Sequence, residues 1–169
     1  MPNYFYDTEF IERGAAFPID LISIAIVCED GREYYAISAE FNPEVAGDWV
    51  KENVLIHLPA MSVAPMLYKS RLEIAADIRR FMDRAEFGKP ALWAYFGAYD
   101  HVALCQLYGT MANLPEGMPM YTRDIKQWAD MLGNPELPPK PKDAHHALED
   151  ARWTMHAHGF LAKFAMGAL

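Results

Sequence analysis

Residues 4–10 read Tyr4-Phe5-Tyr6-Asp7-Thr8-Glu9-Phe10, an apolar, aromatic run that carries two carboxylates one residue apart. Its composition is that of a strand bound for the interior. Side chains alternate along a strand, so Asp7 and Glu9 leave the same face a few ångströms from each other. Two like charges that close repel, and each raises the other's pKa. A divalent cation bound between them removes the conflict. An isolated D-x-E is more often a solvated strand end paired with arginines, so the reading depends on what else the chain supplies.

Downstream, residues 20–29 (DLISIAIVCE) are β-branched and almost wholly apolar, as in a strand buried on both faces. Asp30-Gly31 then separates them from REYYAISAEF, a strong hairpin signal. Three antiparallel strands are therefore expected first. Residues 42–68, with Pro43, Pro59 and Pro65, read as a loop with one helical turn near Asp48–Asn53. Ser70 and Glu73 form a capping box, and Leu72, Ala75, Ile78, Met82 and Ala85 predict an amphipathic helix to about Phe87. ALWAYF follows as a short buried strand, AYDHVALCQLYG as a helix stopped at Gly109, and MPMYTRDI as a fifth strand entering the helix KQWADML. A Pro-rich linker, NPELPPKPKD, leads to a last helix from about Asp143 to Phe164. Helix-linked strands after a meander give an α/β class: a mixed sheet of about five strands, three antiparallel and two parallel, with helices on both faces. At 169 residues this is one domain, 1–169.

The formal net charge of −8 speaks against a nucleic-acid partner unless bound cations offset the acids. No apolar run is long enough to cross a bilayer and no signal-like segment opens the chain, so a cytoplasmic location is expected. Cys28 and Cys105 lie in apolar segments without metal-ligand spacing and read as reduced core residues. Two further acids join Asp7 and Glu9. Asp100 sits in the first turn of a helix just after a buried strand, as a dipole partner or a site residue. Asp150 interrupts the apolar pattern of the last helix, with His145 and His146 in the turn before it.

The segments YFYDTEFIE, EDGREYYAIS, GAYDHVALCQL and HHALEDAR, in this order and spacing, resemble the DEDDh group of 3′→5′ exonucleases, which share the ribonuclease-H-like sheet. The similarity covers nearly the whole chain and is greatest to small stand-alone bacterial exoribonucleases of the RNase AS type. The sequence lacks the Thr-Gly that follows the first motif in proofreading enzymes and carries Tyr95 and Phe96 before the second, which argues against DNA proofreading. The resemblance implies two Mg²⁺ (or Mn²⁺) ions, with Asp7 bridging both, Glu9 and Asp150 holding the one that activates water, and Asp100 supporting the other, partly through water. It implies His145 as general base. On an ideal helix His146 is the residue that shares a face with Asp150, so it stands as the rival on local geometry. It implies, further, single-stranded and adenylate-rich RNA as substrate, and a homodimer. Phe10, Phe96 and Tyr99 beside the acids can stack on bases or pack in the core, and Lys140 and Lys142 can meet phosphates or remain solvated. Two other functions fit the same motifs: an exonuclease on single-stranded DNA or short oligonucleotides, and a nucleic-acid-binding module that no longer cleaves.

Overall fold

The computed structural model describes residues 1–140 and 145–167. Strand β1 (Asn3–Ile11) pairs antiparallel with β2 (Asp20–Cys28), which pairs antiparallel with β3 (Glu33–Ser38). Gly31, at φ +92°, closes the β2–β3 turn by donating its N–H to the Cys28 carbonyl at 2.9 Å, as the Asp-Gly signal requires. Helices α1 (Asp48–Asn53), α2 (Arg71–Phe81) and α3 (Arg84–Phe87) precede β5 (Ala91–Ala94); β4 (Tyr68–Lys69) comes just before α2. Then follow α4 (Ala98–Gln106), β6 (Arg123–Asp124), α5 (Ile125–Met131) and α6 (Ala147–Ala165).

The sheet has six strands in the order β4-β3-β2-β1-β5-β6, with β3–β4, β1–β5 and β5–β6 parallel. The sequence predicts five; the sixth is the two-residue β4, which pairs with the end of β3 at Ile37–Tyr68 and lies in the segment read as loop. Two residues carry no periodicity, so only their tertiary pairing reveals them.

Alternation along β1 divides the molecule. Tyr4 and Tyr6 face one side with Ile24, Ile26, Ile74, Ile78, Ala103 and Leu104, beneath α2 and α4. On the other face Ala25 and Val27 meet Ala147 and Ala151 of α6, and Phe5 meets His158 edge-on. Helices thus cover both faces, and α6 lies across the strand bearing the two acids.

The α2 capping box forms, but the helix ends at Phe81 and Asp83 caps the separate α3 by accepting from the Ala85 N–H. Its buried stripe is Ile74, Ala75, Ile78 and Met82, while Leu72 is 80% exposed. At about 100° per residue Leu72 falls roughly a quarter turn or more from the centre of that stripe. Both cysteines are free and buried, as expected.

Candidate active site

β5 pairs with β1 only from Asn3 to Phe5, and beyond that point the two strands part. The acids of β1 lie past the parting, and a bulge between Glu9 and Phe10 bends the strand end there. This is a crevice at the C-terminal ends of parallel strands, the usual location of sites in α/β sheets. Asp7 and Glu9 point toward α6, which delivers Asp150 from its first turns. An oxygen from each of the three carboxylates lies within 4.8 Å of the others. Asp7 and Glu9 are half-buried and Asp150 is buried.

Burial, then the charges of Asp100, Glu9 and Asp150, hold the Asp7 pKa well above its ordinary range. Glu9 is pushed up to about 8, first by burial and then by Asp150 and Asp100. The Lys140 ammonium relieves part of this, bonding Asp150 Oδ1 at 3.0 Å. A single ammonium cannot balance four acids. Oxygen-only donors crowded to this degree suit Mg²⁺ or Mn²⁺, so the donor set fits a divalent cation held by Asp7, Glu9 and Asp150.

Asp100 reaches the crevice from the other side. Where β5 has turned away, the Thr8 N–H has no strand partner and donates instead to Asp100 Oδ1 at 2.7 Å; the Thr8 hydroxyl donates to the same oxygen at 2.7 Å. Asp100 therefore adjoins the three-acid group without being one of it. Burial raises its pKa to about 6 despite the two Thr8 bonds. The turn that presents it is tightly built. Phe96 is left-handed (φ +57°), and the Gly97 N–H donates to Asp124 Oδ2 at 2.8 Å. A Cβ on Gly97 would stand 2.4 Å from the Ala94 Cβ. Sequence reasoning does not single out Thr8 or Asp124 as site residues. Asp124 has a signal as a cap before KQWADML, since it accepts from the Lys126 and Gln127 N–H groups.

The last helix starts at Ala147, later than the expected Asp143, which lies outside the described residues. His146 is thus the extended N-cap residue (φ −119°, ψ 111°), so the four-residue helical spacing to Asp150 places no shared face. Its ring packs on Tyr35 at 4.9 Å, and burial lowers its pKa. His145 is left-handed (φ +75°), and its N–H donates to Asp150 Oδ2 at 2.8 Å. Its ring stands edge-on to Trp49 at 4.7 Å. Trp49, 55% exposed on α1, has no motif to mark it.

Phe10 stacks on Tyr99 with ring centres 5.8 Å apart, while Phe96 and Tyr99 are 63% and 47% exposed. A cavity of about 370 Å³ lined by Glu9, Phe10 and Trp49 and another of about 470 Å³ lined by Phe17, Tyr99 and Val102 flank this pair. Lys140 is exposed, yet it pairs with Asp150 and lies over the Tyr95 and Trp153 rings at 5.1 and 5.0 Å. Lys142 lies outside the described residues. His101 and His158 are packing residues, His101 beside the Tyr6 hydroxyl and His158 among Phe5, Trp93 and Trp128.

Over residues 2–161 the sequence matches the family described as the 3'-5' exoribonuclease Rv2179c-like domain. Two Mycobacterium tuberculosis proteins, 3'-5' exoribonuclease Rv2179c (strain ATCC 25618 / H37Rv) and 3'-5' exoribonuclease MT2234.1 (strain CDC 1551 / Oshkosh), are each 52% identical over 150 residues, spanning 89% of this chain and 87% of theirs. Among solved structures, cell-death related nuclease 4 (CRN-4) superposes with a TM-score of 0.54 at 12% identity, covering 98% of this chain and 64% of that one. S. pombe Pop2p in its Mg²⁺ and Mn²⁺ bound form gives 0.52 at 12% identity, covering 95% and 82%. At such identities the likeness is one of fold alone.

Proposed function

The chain belongs to the Rv2179c-like 3'-5' exoribonuclease family, and we propose that it hydrolyses single-stranded RNA from the 3′ end to nucleoside 5′-monophosphates. The observation that carries this reading is the convergence of Asp7, Glu9 and Asp150 oxygens within 4.8 Å, with Asp100 alongside. In the proposal, residues 1–169 act as one DEDDh exonuclease domain of the RNase AS type, at work in the cytoplasm. Asp7, Glu9, Asp100 and Asp150 would hold two Mg²⁺ or Mn²⁺ ions. When bound, these supply charge stabilisation at the phosphoryl oxygens and acidify the attacking water.

The side chains have separate tasks. His145, tethered by its backbone to Asp150 and by its ring to Trp49, accepts the proton of the attacking water. Only the neutral imidazole can accept that proton. Water oxygen bonds to phosphorus, the bond to the penultimate 3′ oxygen breaks, and the released nucleotide keeps the phosphate at its 5′ position. Thr8 fixes Asp100 by two bonds to one oxygen and leaves the other oxygen for the site. Phe10, Phe96 and Tyr99 offer ring faces to the terminal bases, a contact that tolerates any sequence. A preference for adenylate-rich RNA rests on the resemblance to RNase AS. A homodimer rests on the same resemblance, and exposed apolar side chains such as Ile56, Met61, Val63, Met66 and Leu72 would suit such a contact.

End-labelled oligo(A) digested with Mg²⁺, Mn²⁺ or chelator tests the reading, with wild type beside Asp7→Asn. The expected result is a ladder shortening from the 3′ end, abolished by chelator and by the substitution. A matched deoxyoligomer reads the choice of sugar. Full activity in chelator, or in Asp7→Asn, would end the proposal.

A further inference from the structure

Away from the acids, two cavities of about 370 and 580 Å³ adjoin one another at Pro90, Gly117 and Met118. Together they form one groove at the end of the sheet where β1 and β5 begin, lined by four cations, Arg79, Arg84, Lys89 and Arg123, against two acids, Asp83 and Glu116. Six lysines and arginines, Arg13, Lys51, Arg79, Lys89, Arg123 and Lys163, pair with no carboxylate among the described residues. Three of the six line this groove. Arg84 adds a fourth cation, held only at 3.5 Å by a Glu116 side chain that is 95% exposed. On a chain of net charge −8, a concentration of unpaired cations in one concavity is an electrostatic feature directed at a polyanion.

The groove carries aromatic surface as well. Tyr121 is 60% exposed, and the Arg123 guanidinium lies 6.0 Å from its ring centre. Cations along a track with a ring for base stacking are what a single strand needs for binding without sequence preference. An acidic peptide would use the cations and leave the ring without a role.

Position connects the groove with the proposed chemistry. Lys89 and Pro90 lead into Ala91, which pairs with Asn3, and Asp7 lies four residues further along β1, about 13 Å at ~3.3 Å per residue. The segment from Tyr121 to Arg123 spans the interval, since the Thr122 methyl stands 3.2 Å from the Cβ position on Gly97, in the turn that presents Asp100. We propose that this groove is a second RNA site, holding the 5′ portion of a single strand while its 3′ terminus occupies the carboxylate crevice. The proposal rests on the exoribonuclease reading. In it the groove sets affinity for long strands and is not reached by a dinucleotide.

The test compares wild type, Arg79→Glu/Lys89→Glu and the milder Arg79→Gln/Lys89→Gln on a diribonucleotide and on an RNA of roughly 20 nucleotides, longer than the ~4–16 such surfaces hold. Removing one cation from a phosphate flattens the logarithmic salt dependence by about 0.7 for a single strand, so removing two flattens it by about 1.4. At moderate salt the KM for the long strand should rise about tenfold in the glutamate variant and less in the glutamine one, with dinucleotide hydrolysis unchanged. An unchanged KM and salt slope overturn the groove, as does an equal loss on both substrates in both variants. Polyglutamate competing with the long strand as well as RNA of equal length does in wild type would assign the groove to acidic protein instead. If wild type cleaves neither substrate, the exoribonuclease reading has failed, which is a separate result.

Discussion

Removing divalent cations should make this protein lose stability as pH rises, against the usual trend for carboxylate-rich proteins. Glu9 is pushed up to about 8 from an ordinary 4.5, and Asp7 is raised by burial and by three neighbouring acids. In the unfolded chain both are ionised by pH 7; in the folded, cation-free chain Glu9 is still mostly protonated there, and Asp7 is shifted in the same direction. An acid with a raised folded pKa favours folding fully below its unfolded pKa, and that favour is lost as pH climbs through the folded value. Below pH 7 the half-buried His101, His146 and His158, whose pKa values are lowered by burial, titrate with the opposite sign. The informative window is therefore pH 7 to 8. A fully protonated acid costs about 1.36 kcal/mol per pH unit there, so Glu9, half deprotonated by pH 8, costs roughly 1 kcal/mol, and Asp7 adds to it in the same direction. For a chain of this length the Glu9 part alone is a fall in Tm of about 2–4 °C. Thermal melts followed by circular dichroism in chelator, at half-unit steps from pH 6 to 8.5, read it directly. Added Mg²⁺ should restore Tm by an amount that grows with pH, because cation binding displaces those protons. Asp7→Asn should reduce the slope in chelator. A cation-free Tm that stays level or rises from pH 7 to 8, or a Mg²⁺ increment equal at pH 6 and pH 8, would refute the electrostatic reasoning.

Gly97→Ala places a methyl 2.4 Å from the Ala94 Cβ; urea unfolding should show a loss of about 1–3 kcal/mol, with activity falling because the turn carries Asp100. His145→Ala should lower kcat about 10²–10⁴-fold with little change in the melt, whereas His146→Ala, which strips a half-buried ring from Tyr35, should show mainly in the melt. The reverse pattern would transfer the base to His146. Trp49→Ala should reduce kcat more than it alters KM, since the ring bears on His145, and Trp49→Phe should restore most of the loss; an equal change in both constants would make Trp49 a substrate contact only.

The parts legible in the sequence are those governed by short-range rules. Alternation puts Asp7 and Glu9 on one face, Asp30-Gly31 closes the hairpin, and Ser70 with Glu73 begins α2. The resemblance to the DEDDh motifs marks Asp100 and Asp150, which singly read as ordinary helix residues, and the fold brings both to the crevice. Features set by contacts across the chain are not legible. No pattern shows that β5 stops pairing after Phe5 and so leaves the Thr8 N–H to Asp100. Nothing local places Trp49 against His145, nearly a hundred positions away, or Lys140 on Asp150. The start of α6 falls later than the sequence suggests because His145 and His146 suit a helix by composition, while their dihedral angles are those of the entry to one.

The packing of α6 across β1 and β2 has a temporal consequence. The same helix that seals one side of the sheet with Ala147 and Ala151 also brings Asp150 to the acids of β1. Until α6 docks, the sheet face formed by Ala25 and Val27 stays bare, and Asp7 and Glu9 lack the third carboxylate that Asp150 supplies. In the proposed chemistry the cation site and that half of the core therefore form in one step.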